Sequence, residues 1–435
     1  AAVTAAREAG SAPSTALAAG LACLGPKAVE RSRAAVDAFV DAYALGELED
    51  PLAAGAAAAP EALTLPGDVV PSARGAAMNA ALGARGLRPA FVDVLRARGA
   101  AEDPELLLGA LAATLAWRPL RRRRISRLTA RNLPWNLRLF GAMLGGALPA
   151  EAHGPESLAG MATGTLLAEG SLGALALRAL GGTGTDAADV RAVERLVGLL
   201  LTNGPGTISA QGAKGAVSAD GPQTPERVHL HKAMMGFLTH SGFSHGGNGF
   251  EGVALLLETF GASGLEDPGA AGDAGLNLEA MAREHARRYA EAKARAKAVG
   301  ERVRAIPGIN HPVFRGRPVN VDPREVHLRR LLEREGQRNV FHAYYGTLVR
   351  ALHDEGVTRN VFAVNVDAVI AATLLRLLWQ PYRAGRLETS DLERAAFHVF
   401  LFGRMIGCAA EIDDHLNRGR NMDTRTPASA CRFVS

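Results

Sequence analysis

The sequence is short of several things, and each shortage removes a class of explanation. Aromatic residues make up 5% of the 435-residue chain, and strand-type alternation of apolar and polar residues is rare, so an all-β sandwich or barrel is not expected. The three cysteines, Cys23, Cys408 and Cys431, show no metal-type spacing. They are too few for a disulfide framework, which fits a reducing cytoplasm. No apolar run reaches membrane-spanning length free of charge: the longest, Val361 to Trp379, is interrupted by Asn365, Asp367 and Arg376. The first residues lack the basic, apolar and cleavage regions of a signal peptide. The chain does not begin with methionine and is expected to be a processed or incomplete copy of a longer polypeptide.

Charge of one sign is also scarce. The formal net charge is +5, and much of it comes from Arg118 and the run Arg121–Arg124. A nucleic-acid footprint would spread basic residues along a face with aromatics between them. This cluster does not, so no nucleic-acid partner is expected. It reads as a solvated helix end or inter-helix contact, with a site for the phosphates of a nucleotide-like ligand as the alternative.

What is present is alanine and leucine. Hydrophobic content of 48% with 21% charged residues suits a folded globular protein able to bury one large core or two moderate ones. Apolar spacing predicts an all-α fold with helices over Val29–Leu45, Pro104–Ala116, Pro134–Ala147, Ala187–Leu201, Pro225–His240, Phe250–Phe260, Leu278–Ile306, Pro323–Gln337, Val340–Glu355, Val366–Trp379 and Ser390–Asn417. Pro104, Pro134, Pro225 and Pro323 suit first-turn positions, where a missing N–H costs nothing. Ser390 with Glu393 reads as a capping box.

The chain also resembles itself. Leu139-Phe140-Gly141-Ala142-Met143 matches Leu401-Phe402-Gly403-Arg404-Met405, Leu111–Leu115 matches Ile370–Leu374, and each of these latter runs is followed by Trp-X-Pro, at Trp117 and Trp379. Leu48-Glu49-Asp50-Pro51 matches Leu265-Glu266-Asp267-Pro268. The order is the same in both halves, so residues 1–150 are expected to be a degenerate partial copy of roughly 218–420. Sliding the matches together puts Ala28 opposite His245, Leu108 opposite Asp367 and Ala142 opposite Arg404. The first copy is therefore read as a non-catalytic scaffold. Residues 151–435 are read as the catalytic domain, with a small subdomain at about 260–380.

Three polar groups stand at glycine-marked turns or helix boundaries. His245 lies in Gly242-Phe243-Ser244-His245-Gly246-Gly247, ahead of a helix. A histidine at a helix start tends to be neutral and can donate a hydrogen bond to a thioester carbonyl as it enolises. His311 lies in Pro307-Gly308-Ile309-Asn310-His311-Pro312, followed by Arg315, Arg317 and Arg324, which can gather carboxylates or phosphates. Asp367 follows the apolar run Val361–Val364 with Asn365 as its cap. An exposed aspartate, with a pKa near 3.9, is a poor base, so its surroundings must adapt it. Taken singly, a first-turn acid, a glycine-rich turn with a structural histidine, and a salt-bridged Arg404 are the ordinary readings. His240 with His245 lacks a third metal ligand, and Glu411, Asp413, Asp414 and His415 read as a polar helix end, so no metal site is expected.

Taken together, in this order, the motifs resemble the citrate synthase superfamily. They are Gly242–Gly247, Pro307–His311 through Asp322-Pro323-Arg324, Asn365-Val366-Asp367, Gly403-Arg404 and Arg425-Thr426-Pro427. Thr424–Pro427 with Phe433-Val434, and the segment Asn203-Gly204-Pro205-Gly206, are more similar to the citryl-CoA-cleaving module of ATP-citrate lyase and related citryl-CoA lyases.

The resemblance covers roughly residues 190–435 and implies a multi-helical fold with large and small helical subdomains, partly duplicated. It implies that Asp367 removes a methyl proton from acetyl-CoA, that His245 stabilises the enol, and that His311 donates to the carbonyl of oxaloacetate. Asn203, Arg324, Arg404 and Arg425 would hold the dicarboxylate or citrate, with Pro307, Gly308, Ile309, Asn310, Arg315 and Arg317 against coenzyme A. Synthases of this type usually have a histidine where this chain has Asn203. Asparagine still bonds a carboxylate or hydroxyl but carries no charge, which leaves another 2-oxo acid or the lyase direction open.

The expectation is an acyltransferase of citrate synthase type, or a citryl-CoA lyase. Acetyl-CoA and a 2-oxo acid or citrate would be its substrates, with no tightly bound cofactor, and a homo-oligomer its assembly. A non-catalytic CoA-binding scaffold is the alternative from a different class.

Overall fold

The computed structural model describes the chain except residues 44–47, 53–59, 148–152, 155–156, 159–160, 163–170, 183–185, 202–206, 220–228, 243–244, 271–273, 311–320 and 419–435. The fold is all-α, with 17 α-helices among the described residues. The one sheet described is a three-stranded antiparallel ribbon of two-residue strands, His153–Gly154, Ser157–Leu158 and Met161–Ala162.

The chain forms two compact units. One comprises Ala1–Leu175, Thr202–His240 and Arg404–Ser435; the other comprises Ala176–Leu201 and Ser241–Gly403. The core of the first is built on the Glu30–Tyr43, Ala90–Ala97 and Pro104–Arg121 helices, whose aromatic centre is Phe39, Tyr43, Phe91 and Trp117. The second is centred on Phe260, Phe341, Tyr344 and Trp379, from the Asn248–Phe260, Val340–Asp354 and Val366–Arg383 helices.

The two centres are built alike. The Trp117 indole N–H donates to Leu48 O at 2.9 Å, and that of Trp379 to Leu265 O at 3.1 Å. Ala90 N donates to Pro51 O at 2.6 Å, and Val340 N to Pro268 O at 2.9 Å. Ring centroids of Phe91 and Trp117 are 5.3 Å apart, as are those of Phe341 and Trp379. These pairs fall on the repeated sequence segments.

Local chemistry sets the helix ends. Asp103 accepts from Glu105 N and Leu106 N, Asn339 from Phe341 N and His342 N, and Asn365 from Asp367 N and Ala368 N. Each satisfies donors that the first turn leaves unpaired. Pro104 and Pro323 occupy first-turn positions as expected, whereas Pro225 lies outside the described residues.

Three expectations are corrected. Pro134 lies inside a longer helix, Arg127–Ala147, rather than at its start. The capping box assigned to Ser390 and Glu393 sits elsewhere: the helix begins at Thr389, and Asp391 Oδ2 accepts from Glu388 N at 2.8 Å. The carboxylate three residues past the cap thus reaches back, and Ser390 is already helical. The Leu278 helix stops at Ala298 rather than Ile306, because Gly300, at φ +76°, turns the chain back so that Glu301 N caps Ala296 O.

Candidate active site

The second unit brings three of the sequence motifs to one end of a helix pair. The Asn248–Phe260 helix, which follows His245, packs along the Val366–Arg383 helix, which carries Asp367. Near their starts the contact is tight enough to require glycine. A Cβ on Gly252 would lie 2.8 Å from Ala371 Cβ and 3.7 Å from Asp367 O, and one on Gly249 3.1 Å from Ile370 Cγ2. At the far end the Trp379 indole reaches Leu265, just past Phe260. The two helices therefore run in the same sense, and both open where His245 and Asp367 stand. Their N-terminal dipole ends point the same way, so each adds positive potential there.

His245 sits on a closed turn. Gly242 N donates to His245 O at 3.1 Å, and His245 N to Gly242 O at 3.0 Å. Its ring meets Phe400 edge to face, with centroids 5.5 Å apart and planes at 89°. Gly246 is fixed twice over: its φ is +104°, and a Cβ there would lie 2.4 Å from Phe400 Cε1. The glycine lets the turn seat on Phe400 and so aims the imidazole.

Asp367 is the second residue of its helix and is half-buried. Asn365 does more than cap this helix. Its Nδ2 donates to Asn310 O at 2.5 Å, while its backbone N donates to Gly308 O at 2.9 Å. Asn310 N donates in turn to Ala363 O at 2.8 Å, and Ile309 pairs with Val364 as an antiparallel bridge. The loop Pro307–Asn310 is thus hydrogen-bonded into the segment that leads to Asp367. Gly308, at φ +80°, lies so close to Ala368 that a Cβ would approach its Cβ to 2.7 Å. Asn310 takes φ +61°, a left-handed geometry that asparagine tolerates better than most residues.

Arg324 belongs to the same unit, but its guanidinium folds onto its own helix cap, with Nη2 2.8 Å from Asp322 Oδ2. Arg404 is 3% exposed and belongs to the first unit. One turn along, burial pushes the Cys408 thiol up to about 12, opposed by the charge of Arg404. His311, Arg315, Arg317, Asn203 and Arg425 lie outside the described residues. No group of three or more metal-ligating side chains occurs among the described residues.

The first unit holds a counterpart that the sequence matches misplaced. The Ala-Ala-Thr match sets Leu108 opposite Asp367. The two helices, however, have the same 18-residue length, with caps Asp103 and Asn365 and the tryptophans Trp117 and Trp379 at the same step. That register puts Glu105 opposite Asp367. The three-residue difference arises because Ala-Ala-Thr matches composition, whereas cap and indole match geometry. Glu105 is engaged, accepting from Ser32 Oγ and pairing with Arg138. Beside it Asp103, with its side chain fully buried, accepts from Arg31 Nη2 at 2.7 Å and Val70 N at 2.8 Å.

Two residues at the second site carried no functional signal in the sequence. Phe400 reads as one more apolar position of a core helix. Tyr345 does too, yet its ring lies 3.0 Å from where a Gly308 Cβ would stand. Its neighbour Tyr344 shares a hydrogen bond with His285 Nδ1 at 3.1 Å, and burial pushes its phenol up to about 12.

No family model matches the chain, and no curated protein matches it by sequence. Its structure is similar to that of citryl-CoA lyase from Hydrogenobacter thermophilus at 18% identity and TM-score 0.45, over 64% of this chain and 88% of that one. It is similar to a variant of ATP citrate lyase from Methanosaeta concilii, solved with (3S)-citryl-CoA, at 16% identity and TM-score 0.43. That match covers 79% of this chain and 52% of the other. Citrate synthase from Pyrobaculum aerophilum is similar at 16% identity and TM-score 0.40, over 84% and 81% of the two chains. Likeness at this level assigns no activity to the chain and no role to any residue.

Proposed function

We propose that this chain is an acyl-CoA enzyme of citrate synthase type. It would form or cleave the bond between the methyl carbon of acetyl-CoA and the keto carbon of oxaloacetate or a related 2-oxo acid. The observation that carries the reading is the convergence at one helix end. The His245 turn, the Asp367 helix start and the Pro307–Asn310 loop are separated by 50 residues or more in sequence, yet they are joined by packing and backbone hydrogen bonds within one unit.

In the forming direction Asp367 removes a methyl proton while His245 donates to the thioester oxygen, so that negative charge gathers on a fixed donor. The enol carbon attacks the keto carbon, and His311, next in the chain after Asn310, supplies the proton taken up by the new alkoxide. Hydrolysis of the thioester then releases free thiol. In the cleaving direction the hydroxyl proton of citryl-CoA leaves, the carbon–carbon bond breaks, and the enolate of acetyl-CoA collects its proton from Asp367. Coenzyme A would lie along Pro307–Asn310 with Arg315 and Arg317, and Asn203, Arg324, Arg404 and Arg425 would serve the carboxylates. Asn203 in place of a histidine favours the second direction as an alternative. Assembly into a homo-oligomer belongs to the same reading.

One assay separates these. Free thiol released from acetyl-CoA and oxaloacetate supports a synthase; consumption of citryl-CoA without thiol release supports a lyase. Binding of coenzyme A with neither reaction leaves a non-catalytic scaffold and overturns the proposal.

A further inference from the structure

Tyr345 takes no part in the chemistry assigned to His245, His311 and Asp367, yet it stands against two of the three motifs. Its side chain is fully buried, and its hydroxyl has no hydrogen-bond partner among the described residues. The ring is wedged between two glycines and the first turn of the Asp367 helix. A Cβ on Gly308 would lie 3.0 Å from Tyr345 Cε1, and a Cβ on Gly252 3.2 Å from its hydroxyl oxygen and 3.7 Å from the backbone carbonyl oxygen of Asp367.

A hydroxyl buried without an acceptor is destabilising, and phenylalanine would fill the same space without that cost. Burial, with the Tyr344 hydroxyl and the Asp367 charge adding to it, holds the phenol well above its ordinary range, so it remains an O–H donor. Four other charged or polar groups on the elements packed here are engaged elsewhere. Tyr344 bonds His285, His342 bonds Glu325, Glu251 pairs with Arg304, and Asp189 pairs with Arg376. The remaining acid on the Asn248–Phe260 helix, Glu258, acts on His285 and Tyr344.

We propose that Tyr345 is a positioning residue for Asp367: with substrate bound, its hydroxyl donates to the Asp367 carboxylate and leaves the other oxygen facing the reacting carbon. Gly252 and Gly308 clear the space in which this happens. The inference rests on the proposed role of Asp367 as the base.

The test is Tyr345→Phe in the full chain, with Tyr344→Phe as control. Three quantities are read: the melting temperature, the turnover of acetyl-CoA with oxaloacetate or of citryl-CoA, and the titration of the Asp367 carboxyl carbon by NMR with coenzyme A and oxaloacetate added. A donor to the ionised carboxylate favours that form, so its loss moves the Asp367 titration to higher pH. Tyr345→Phe is expected to melt no lower than the parent and to titrate at higher pH. It should lose about tenfold in kcat with KM nearly unchanged. Tyr344→Phe should shift neither the Asp367 titration nor kcat. An unshifted titration with unchanged kcat overturns the inference, as does a lower melting temperature that accounts for the lost activity. If the wild-type protein turns over neither substrate but the titration still shifts, the Tyr345–Asp367 contact stands and the acyl-CoA reading falls. If turnover depends on Asp367 and Tyr345→Phe is silent, the reverse holds.

Discussion

Glu105 and Asp367 hold the same step of two equivalent helices, and removing each should have opposite consequences. Glu105→Ala strips Ser32 of its acceptor and Arg138 of its counter-ion; Ser32 is fully buried, and the Arg138 side chain is 25% exposed. An unmet buried hydroxyl costs about 1 kcal/mol. Losing one partner of a fully buried ion pair costs about 3–5 kcal/mol, which the quarter exposure of Arg138 reduces to about 1 kcal/mol. Burial already lowers the Arg138 pKa, and the charge of Arg74 adds to that effect, so the guanidinium left behind has little else to compensate it. Loss of a negative charge from the first helical turn adds roughly 0.5 kcal/mol. The total is about 2–3 kcal/mol, or about 5–10 °C in the midpoint of thermal unfolding of that unit.

Asp367→Ala leaves the Asn365 cap in place and removes a half-buried first-turn charge, a loss of about 0.5 kcal/mol. Turnover should instead fall about 10²–10⁴-fold. Differential scanning calorimetry and the thiol-release or citryl-CoA assay, run on both variants, read the two axes. Equal loss of stability in the two, or a folded Glu105→Ala without turnover beside an active Asp367→Ala, would refute both the register and the division of roles.

Two further outcomes follow from the geometry. Gly246→Ala drives a methyl group into Phe400 from a backbone at φ +104°; it should cost about 2–4 kcal/mol by overpacking and strain and lower turnover in step with the melting temperature, whereas Phe400→Leu in the same background should recover part of both. Burial raises the Glu325 pKa, but its hydrogen bond to His342 and the charges of His342 and Arg329 outweigh this and hold it below the ordinary 4.5. A carboxyl depressed on folding contributes stability that is full above that ordinary value and is lost as pH falls through the folded one. The melting temperatures of wild type and Glu325→Gln should therefore differ near neutrality and converge in acid; a gap that does not close as the carboxyl is protonated would count against the pair.

The helices were legible because apolar spacing and caps agree locally. Asn365, Pro104 and Pro323 announce helix starts, and the structure begins helices at or beside each. Pro134 and Ser390 misled because a proline or serine compatible with a first turn is also tolerated within a longer helix when tertiary packing extends it. The candidate site announced itself through glycines: Gly246, just after His245, and Gly308, just before Asn310, both stand at positive φ against a close neighbour. Tyr345 and Phe400 were illegible, since a buried aromatic on an apolar helix face looks the same whether it packs or positions. The Glu105 register was hidden for a related reason. Repeated alanines slide along a helix without penalty in sequence, whereas an indole N–H bonded to one carbonyl does not.

Each of the two aromatic centres has a close helix crossing, and the crossings are built in the same way. In the first unit a methyl group on Gly109 would strike Ala35 Cβ at 2.6 Å; in the second, one on Gly252 would strike Ala371 Cβ at 2.8 Å. In the register set by the caps and tryptophans, Ala35 answers to Gly252 and Gly109 to Ala371, so the glycine has changed sides. The crossing tolerates one methyl group and is indifferent to which helix brings it. The constraint there is on the sum of two side chains rather than on either position alone. If the two segments share an origin, they diverged here as a compensated pair, the methyl group moving from one helix to the other.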